Sequence, residues 1–123
     1  MPARLKPADR LDVASARSRL AAAHQAGESP AKADLKLLTK HYLALLEARA
    51  PGKSVEVRVP PYAAIQCVEG VRHTRGTPPA VIETDAVTWI ALATGDLAWS
   101  DADAGHLLRA SGERTDLSVY LPL

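Results

Sequence analysis

The stretch Val81–Gly112, VIETDAVTWIALATGDLAWSDADAGHLLRASG, constrains the fold more than any other part of this chain. It reads as strand, helix, short second helix, strand. Ala80–Glu83 is short, partly β-branched and follows Pro79, which suits an extended strand. Thr84 and Asp85 supply side-chain oxygens for the free N–H groups of a first helical turn. Ala86, Trp89, Ile90 and Ala93 then recur at i, i+3, i+4 and i+7, the spacing of one apolar helix face. Gly95 stands where a left-handed C-terminal cap is wanted. Ser100-Asp101-Ala102-Asp103 has the spacing of a capping box with Asp in the fourth place, so a short helix is expected to be capped by Ser100 and ended by Gly105. Leu107–Ser111 returns as a strand, and Gly112 closes it.

Upstream, Ser54–Val59 alternates Val55, Val57 and Val59 with Glu56 and Arg58, the pattern of a strand with one face on a core. Pro60-Pro61 makes a turn, and Ala63–Val68 is a second strand with Ile65 and Cys67 on one side. The short connection predicts a hairpin. The N-terminal part is helical. From Pro7, suited to a first helical position, to about Gln25 runs a thin apolar stripe of Val13, Ala16, Leu20 and Ala23. So thin a stripe buries little area, which makes this helix the least firmly docked. Gly27-Glu28-Ser29-Pro30 breaks it, with Ser29 and Pro30 placed as cap and first residue of the next helix. That helix, Pro30–Arg49, carries the wide apolar face Leu35, Leu38, Tyr42, Leu45 and Leu46. In the tail, Leu117, Val119, Leu121 and Leu123 alternate, which fits a last strand or a short helical turn. These elements predict one α+β domain over residues 1–123: a helical part over 1–50, and over 51–123 a small mixed sheet of about four or five strands with a helical insert. The helices pack mainly on one face of the sheet.

Composition narrows the function classes. Apolar residues make up 47% of 123, enough for one real core. The net charge of +1 makes no electrostatic case for nucleic acid. The single cysteine, Cys67, allows no internal disulfide and reads as a small buried hydrophobe. The four histidines show no ligand spacing, so neither a metal site nor a cofactor is expected. Ser100, Asp101, Asp103 and His106 hold the ingredients of a hydrolase, but helix capping accounts for Ser100 and Asp103, and no catalytic residue is assigned. No signal-like or membrane-spanning apolar run occurs, and a soluble cytoplasmic protein is expected.

Two charged features invite a binding role. The loop Glu69–Pro79 gathers Arg72, His73, Arg75, Thr74 and Thr77 between Gly70 and Gly76. Arginine forks and a close glycine backbone suit a carboxylate or phosphate. Pairing of an arginine with Glu69, Glu83 or Asp85 explains the same loop structurally. Lys32, Lys36 and Lys40 form a basic stripe on the second helix, suited either to lipid headgroups at a membrane surface or to plain solvation. An open sheet edge would also accept a second copy of the chain as a homodimer.

The residues Glu83-Thr84-Asp85, Leu92-Ala93-Thr94-Gly95, Leu97 and Leu107–Gly112 resemble the core of the sterol carrier protein type-two superfamily. Val57-Arg58-Val59-Pro60-Pro61, Gln66-Cys67-Val68-Glu69-Gly70, Arg72-His73-Thr74-Arg75-Gly76-Thr77-Pro78-Pro79 and Asp116-Leu117-Ser118 resemble, more closely, a small bacterial, mostly actinobacterial, branch of sterol carrier family proteins. The resemblance covers roughly Pro51 to Leu123. It implies a non-catalytic carrier holding a lipid-like or other apolar small molecule between sheet and helices. Trp89, Leu92 and Trp99 from the insert and Val57, Ile65 and Leu108 from the strands would contact the apolar part, and Arg72, His73 or Arg75 an acidic headgroup. The alternative is an accessory module that binds a soluble anion or protein through the Arg72–Arg75 loop.

Overall fold

The computed structural model describes residues 4–70, 80–112 and 115–123. In chain order it forms α1 (Arg10–Gln25), α2 (Lys32–Arg49), β1 (Val55–Val59), β2 (Ala63–Cys67), β3 (Ala80–Thr84), α3 (Ala86–Thr94), α4 (Trp99–Ala104) and β4 (Leu108–Ser111). The alternation in β1 works as expected. Its valines are buried, Arg58 is exposed, and the chain doubles back so that Val55 faces Cys67 and Val59 faces Ala63 across an antiparallel pair. β3 lies on the other side of β1 and parallel to it, with Val57 opposite Ile82. β4 then pairs antiparallel with β3, Glu83 opposite Arg109. The sheet order is β2-β1-β3-β4. The fold is therefore α+β with an open mixed sheet of four strands. The tail adds no fifth strand; it makes a 3-10 turn at Ser118–Tyr120.

Strand alternation sends Val55, Val57, Val59, Ile65, Cys67, Ala80 and Ile82 to one side. There they join Leu38, Tyr42, Leu43 and Leu46 of α2 and Trp89, Ile90 and Ala93 of α3 in one buried cluster. The other face carries Arg58, Ala64, Gln66 and Arg109 in solvent. Burial of each large apolar side chain stabilises by about 1.5–3 kcal/mol, so the α2–α3 layer holds the sheet. Trp89 sits at its centre, and its indole Nε1–H donates to the Thr39 carbonyl at 3.3 Å. Cys67 lies in the same layer, where burial pushes the thiol pKa up to about 12. No helix among the described residues is long and apolar enough to cross a membrane.

Helix starts depart from the expected positions. α1 begins at Arg10, not Pro7. Asp9 caps it by accepting from Leu11 N–H, and Ala8 N–H turns instead to Nδ1 of His41 in α2. The end of α1 is a paired-turn stop: Glu28 N–H reaches Ala23 O and Gly27 N–H reaches His24 O, with Gly27 at φ 69. The chain leaves this stop extended, and α2 starts at Lys32 without a side-chain cap rather than at Ser29-Pro30. Asp34 in its first turn, only 6% exposed, takes two bonds from Nε and one from Nη2 of Arg19 at 2.9–3.1 Å. Ala16 is the only α1 residue fully buried; half-buried Val13 and Leu20 pack beside it, and the Arg19–Asp34 ion pair adds to this docking.

α4 starts one residue before the expected cap. Ala98 precedes it with no side-chain bond, and Ser100 lies exposed inside the first turn. Trp99 is drawn into apolar contacts, and that packing outweighs the local capping signal. Gly105 ends α4 with an ordinary negative φ, and His106 at φ 56 takes the left-handed place. Thr84 Oγ1–H donates to Leu107 O at 2.8 Å, and β4 runs only from Leu108.

Candidate functional site

Asp85 caps α3 as expected, its Oδ1 accepting from Thr88 N–H at 2.7 Å. At the other end Gly95 adopts φ 89, the left-handed region that glycine enters without strain, and Leu97 N–H bonds back to Ala91 O. This stop folds Leu97 onto Leu92. Leu92, Ala102 and Leu108 form a second, smaller buried cluster, edged by Leu97, Trp99 and Leu121.

A cleft of about 450 Å³ opens on that cluster. Leu92 and Leu97 come from α3 and the turn after it, and Trp99 and Ser100 from α4. Asp116, Ser118, Leu121 and Pro122 come from the tail. The tail is fastened on both sides. Leu117 is fully buried, Leu123 N–H donates to Ala93 O at 2.9 Å, and Arg49 Nη1 donates to the carbonyls of Tyr120 and Pro122 at 2.9 and 3.0 Å. Asp116 accepts from Ser118 N–H at 2.9 Å, and hydrogen bonding from Ser118 holds its carboxyl below the usual carboxylate range. The cleft is thus lined by the apolar Leu92, Leu97, Trp99, Leu121 and Pro122 together with the polar Ser100, Asp116 and Ser118.

The six apolar positions separate. Val57, Ile65 and Trp89 lie inside the main core, with Trp89 1% exposed. Leu92 and Trp99 line the cleft, and Leu108 stands behind it in the smaller cluster. Leu108 also borders a polar hollow of about 380 Å³ with Glu83, Asp85, His106 and Arg109. A third groove of about 530 Å³ runs between α1 and α3, over Leu20, Val87, Ile90 and Ala91. Arg72, His73 and Arg75 lie outside the described residues. Lys32 and Lys36 are exposed on α2, and Lys40 is half-buried. Ser100, Asp101 and Asp103 share α4 and lie exposed, with His106 just beyond it. Among the described residues no group of three or more His, Cys, Asp or Glu is set to hold a metal ion.

The sequence reading missed Leu97, Asp116, Ser118, Leu121 and Pro122 as cleft residues. The alternating apolar tail was the available signal, but it does not tell where the tail docks.

Compared with known families, residues 31–123 match the family model described as "Bacterial SCP ortholog". The match takes in α2, the whole sheet, α3, α4 and the tail, and leaves out α1. No curated protein matches the chain. A family match over this much of the chain, on an α2–α3 layer backed by a four-stranded sheet, identifies it: the chain belongs to the bacterial sterol carrier protein family.

Proposed function

We propose that this chain is a non-catalytic carrier that holds an apolar or amphipathic small molecule in the cleft beside Leu92 and Trp99. One observation carries the reading: in a member of a carrier family, a cleft of about 450 Å³ opens on a buried apolar cluster. That volume falls within the range of about 300–1,000 Å³ typical of small-molecule sites. The ligand's apolar part lies on Leu92, Leu97, Trp99 and Leu121, while Val57, Ile65 and Trp89 belong to the packed main core and do not line this cleft.

Native mass spectrometry of protein purified without detergent, followed by organic extraction, tests the proposal. A stoichiometric small-molecule mass supports it, as does saturable calorimetric binding of dodecanol that Leu97→Glu weakens. Protein that is empty and takes up no dodecanol to its solubility limit overturns it. The alternative, recognition of an anion or protein through Arg72 and Arg75, is separated by neutral replacement of both arginines: there it abolishes anion or partner binding, whereas under the carrier reading it leaves dodecanol capture intact.

A further inference from the structure

The walls of the cleft are held in different ways. α3 with its Gly95 stop and α4 are helical, and their inward residues Leu92 and Ala102 are buried in the smaller cluster. The remaining wall is the tail. Leu117 anchors its near end in the main core. After the 3-10 turn at Ser118–Tyr120 the backbone is extended at Leu121. Val119 is 81% exposed, whereas Leu121 reaches in and packs on the cluster of Leu92, Ala102 and Leu108. Pro122 rests on the glycine stop of α3, where a Cβ on Gly95 would come within 3.4 Å of it. Among the described residues this strap makes three hydrogen bonds to the helices. Leu123 N–H supplies one, to Ala93 O, and Arg49 Nη1 supplies the other two, to Tyr120 O and Pro122 O. Arg49 stands on α2, which contributes no lining residue to the cleft. So few bonds and so little buried area let a strap open locally while α3 and α4 stay packed. Its lifting takes Leu121 off the smaller cluster and clears the way to Leu92 and Leu108.

We infer that the tail from Ser118 to Leu123 is the gate of the cleft and that Arg49 is its positioning residue, a latch that holds the gate shut. The inference rests on the carrier reading and adds how the ligand enters and leaves. The apolar chain passes when the strap lifts and is enclosed when Arg49 takes the two carbonyls again. Arg49 does not touch the ligand; it sets how often the gate is open. Loss of such a latch raises association and dissociation rates together, whereas loss of a fixed wall raises dissociation alone.

Stopped-flow mixing of the protein with dodecanol, followed by tryptophan emission, tests this. In Arg49→Gln both rates are expected to rise about fivefold, the effect of losing charge-assisted bonds at an exposed site, while Kd moves less than either rate. Arg49→Lys keeps a cationic donor for one carbonyl and is expected to fall between. A melting curve checks that each variant is folded. Hydrogen exchange reads the latch without any ligand. Leu123 N–H is expected to exchange faster in Arg49→Gln, while Trp89 N–H, bonded to Asp85 O within α3, exchanges as in the parent. An association rate unchanged by Arg49→Gln, or Leu123 exchange that does not quicken, overturns the gate while the carrier reading stands. Should Arg49→Gln fail to fold, the parent protein decides. There Leu123 N–H must exchange well before Trp89 N–H and be slowed by dodecanol; exchange of the two together, or exchange that dodecanol does not slow, overturns the gate. Dodecanol that binds neither parent nor variant overturns both readings.

Discussion

Replacing Thr39 with valine removes a buried hydroxyl that has no hydrogen-bond partner. Thr39 is fully enclosed in α2, and its Oγ1 is the buried side-chain polar atom left unpaired among the described residues. Its backbone carbonyl, which accepts the Trp89 indole N–H, is unaffected by the change. An unpaired buried hydroxyl costs about 1–3 kcal/mol. Valine has nearly the same shape and helix propensity, so cavity and backbone contributions almost cancel. Thr39→Val is therefore expected to stabilise the fold by about 1–2 kcal/mol. For a domain of this size that raises Tm by about 3–5 °C per kcal/mol. Urea unfolding followed by circular dichroism should show a higher midpoint at an unchanged slope, since no surface is added. Thr39→Ser supplies the reverse case: it keeps the hydroxyl, loses a methyl group and is expected to cost about 1 kcal/mol. Refutation would be a Thr39→Val protein that melts at or below the parent. That result would mean the hydroxyl is satisfied in solution, by a buried water or by the carbonyl one turn back.

Other expectations follow from the remaining contacts. His41 accepts the Ala8 N–H through Nδ1, and burial lowers its pKa below 6.5. The unfolded chain then takes up a proton before the native state does, so stability is fully present above about pH 6.5 and falls as the pH drops towards the native pKa. His41→Asn, with an amide oxygen for the same N–H, should flatten that part of a Tm-against-pH curve. His106 occupies the left-handed region, and His106→Gly should raise stability by about 0.5–1 kcal/mol in urea, with a loss pointing to a role for the side chain. Arg19→Ala strands the nearly buried Asp34 carboxylate, and limited proteolysis should then cut α1 before the rest of the domain. The Cys67 thiol, at a pKa of about 12 and buried, should be alkylated only on unfolding; labelling of folded protein at pH 8 would contradict its placement.

Period-two and helical patterns were legible where one face of an element is buried. Val55-Val57-Val59 set the register of β1, and Trp89-Ile90-Ala93 set the inward face of α3. The parallel pairing of β1 with β3 was not legible, because nothing in either strand names a neighbour more than twenty residues away. Helix starts were misplaced where tertiary contact outweighs capping: Trp99 packs and takes the start of α4 from Ser100. For the site, the sequence offered Leu92 and Trp99 through family resemblance. The tail half of the cleft had only its apolar alternation and the resemblance at Asp116-Leu117-Ser118, neither of which says where the tail docks; Asp116 and Leu121 become lining residues only once Arg49 and Ala93 fasten the tail beside α3.

The two tryptophans give the molecule an optical asymmetry. Trp89 is sealed in the core with its N–H bonded, so its emission should be blue, resistant to acrylamide, and altered only when the α2–α3 layer comes apart. Trp99 is half-buried at the cleft, so its emission should be redder and accessible to quencher. Filling the cleft should therefore remove the quenchable fraction without disturbing the protected one, and heating should do the reverse. A single emission spectrum with and without quencher would separate occupancy from unfolding, with no label attached to the chain.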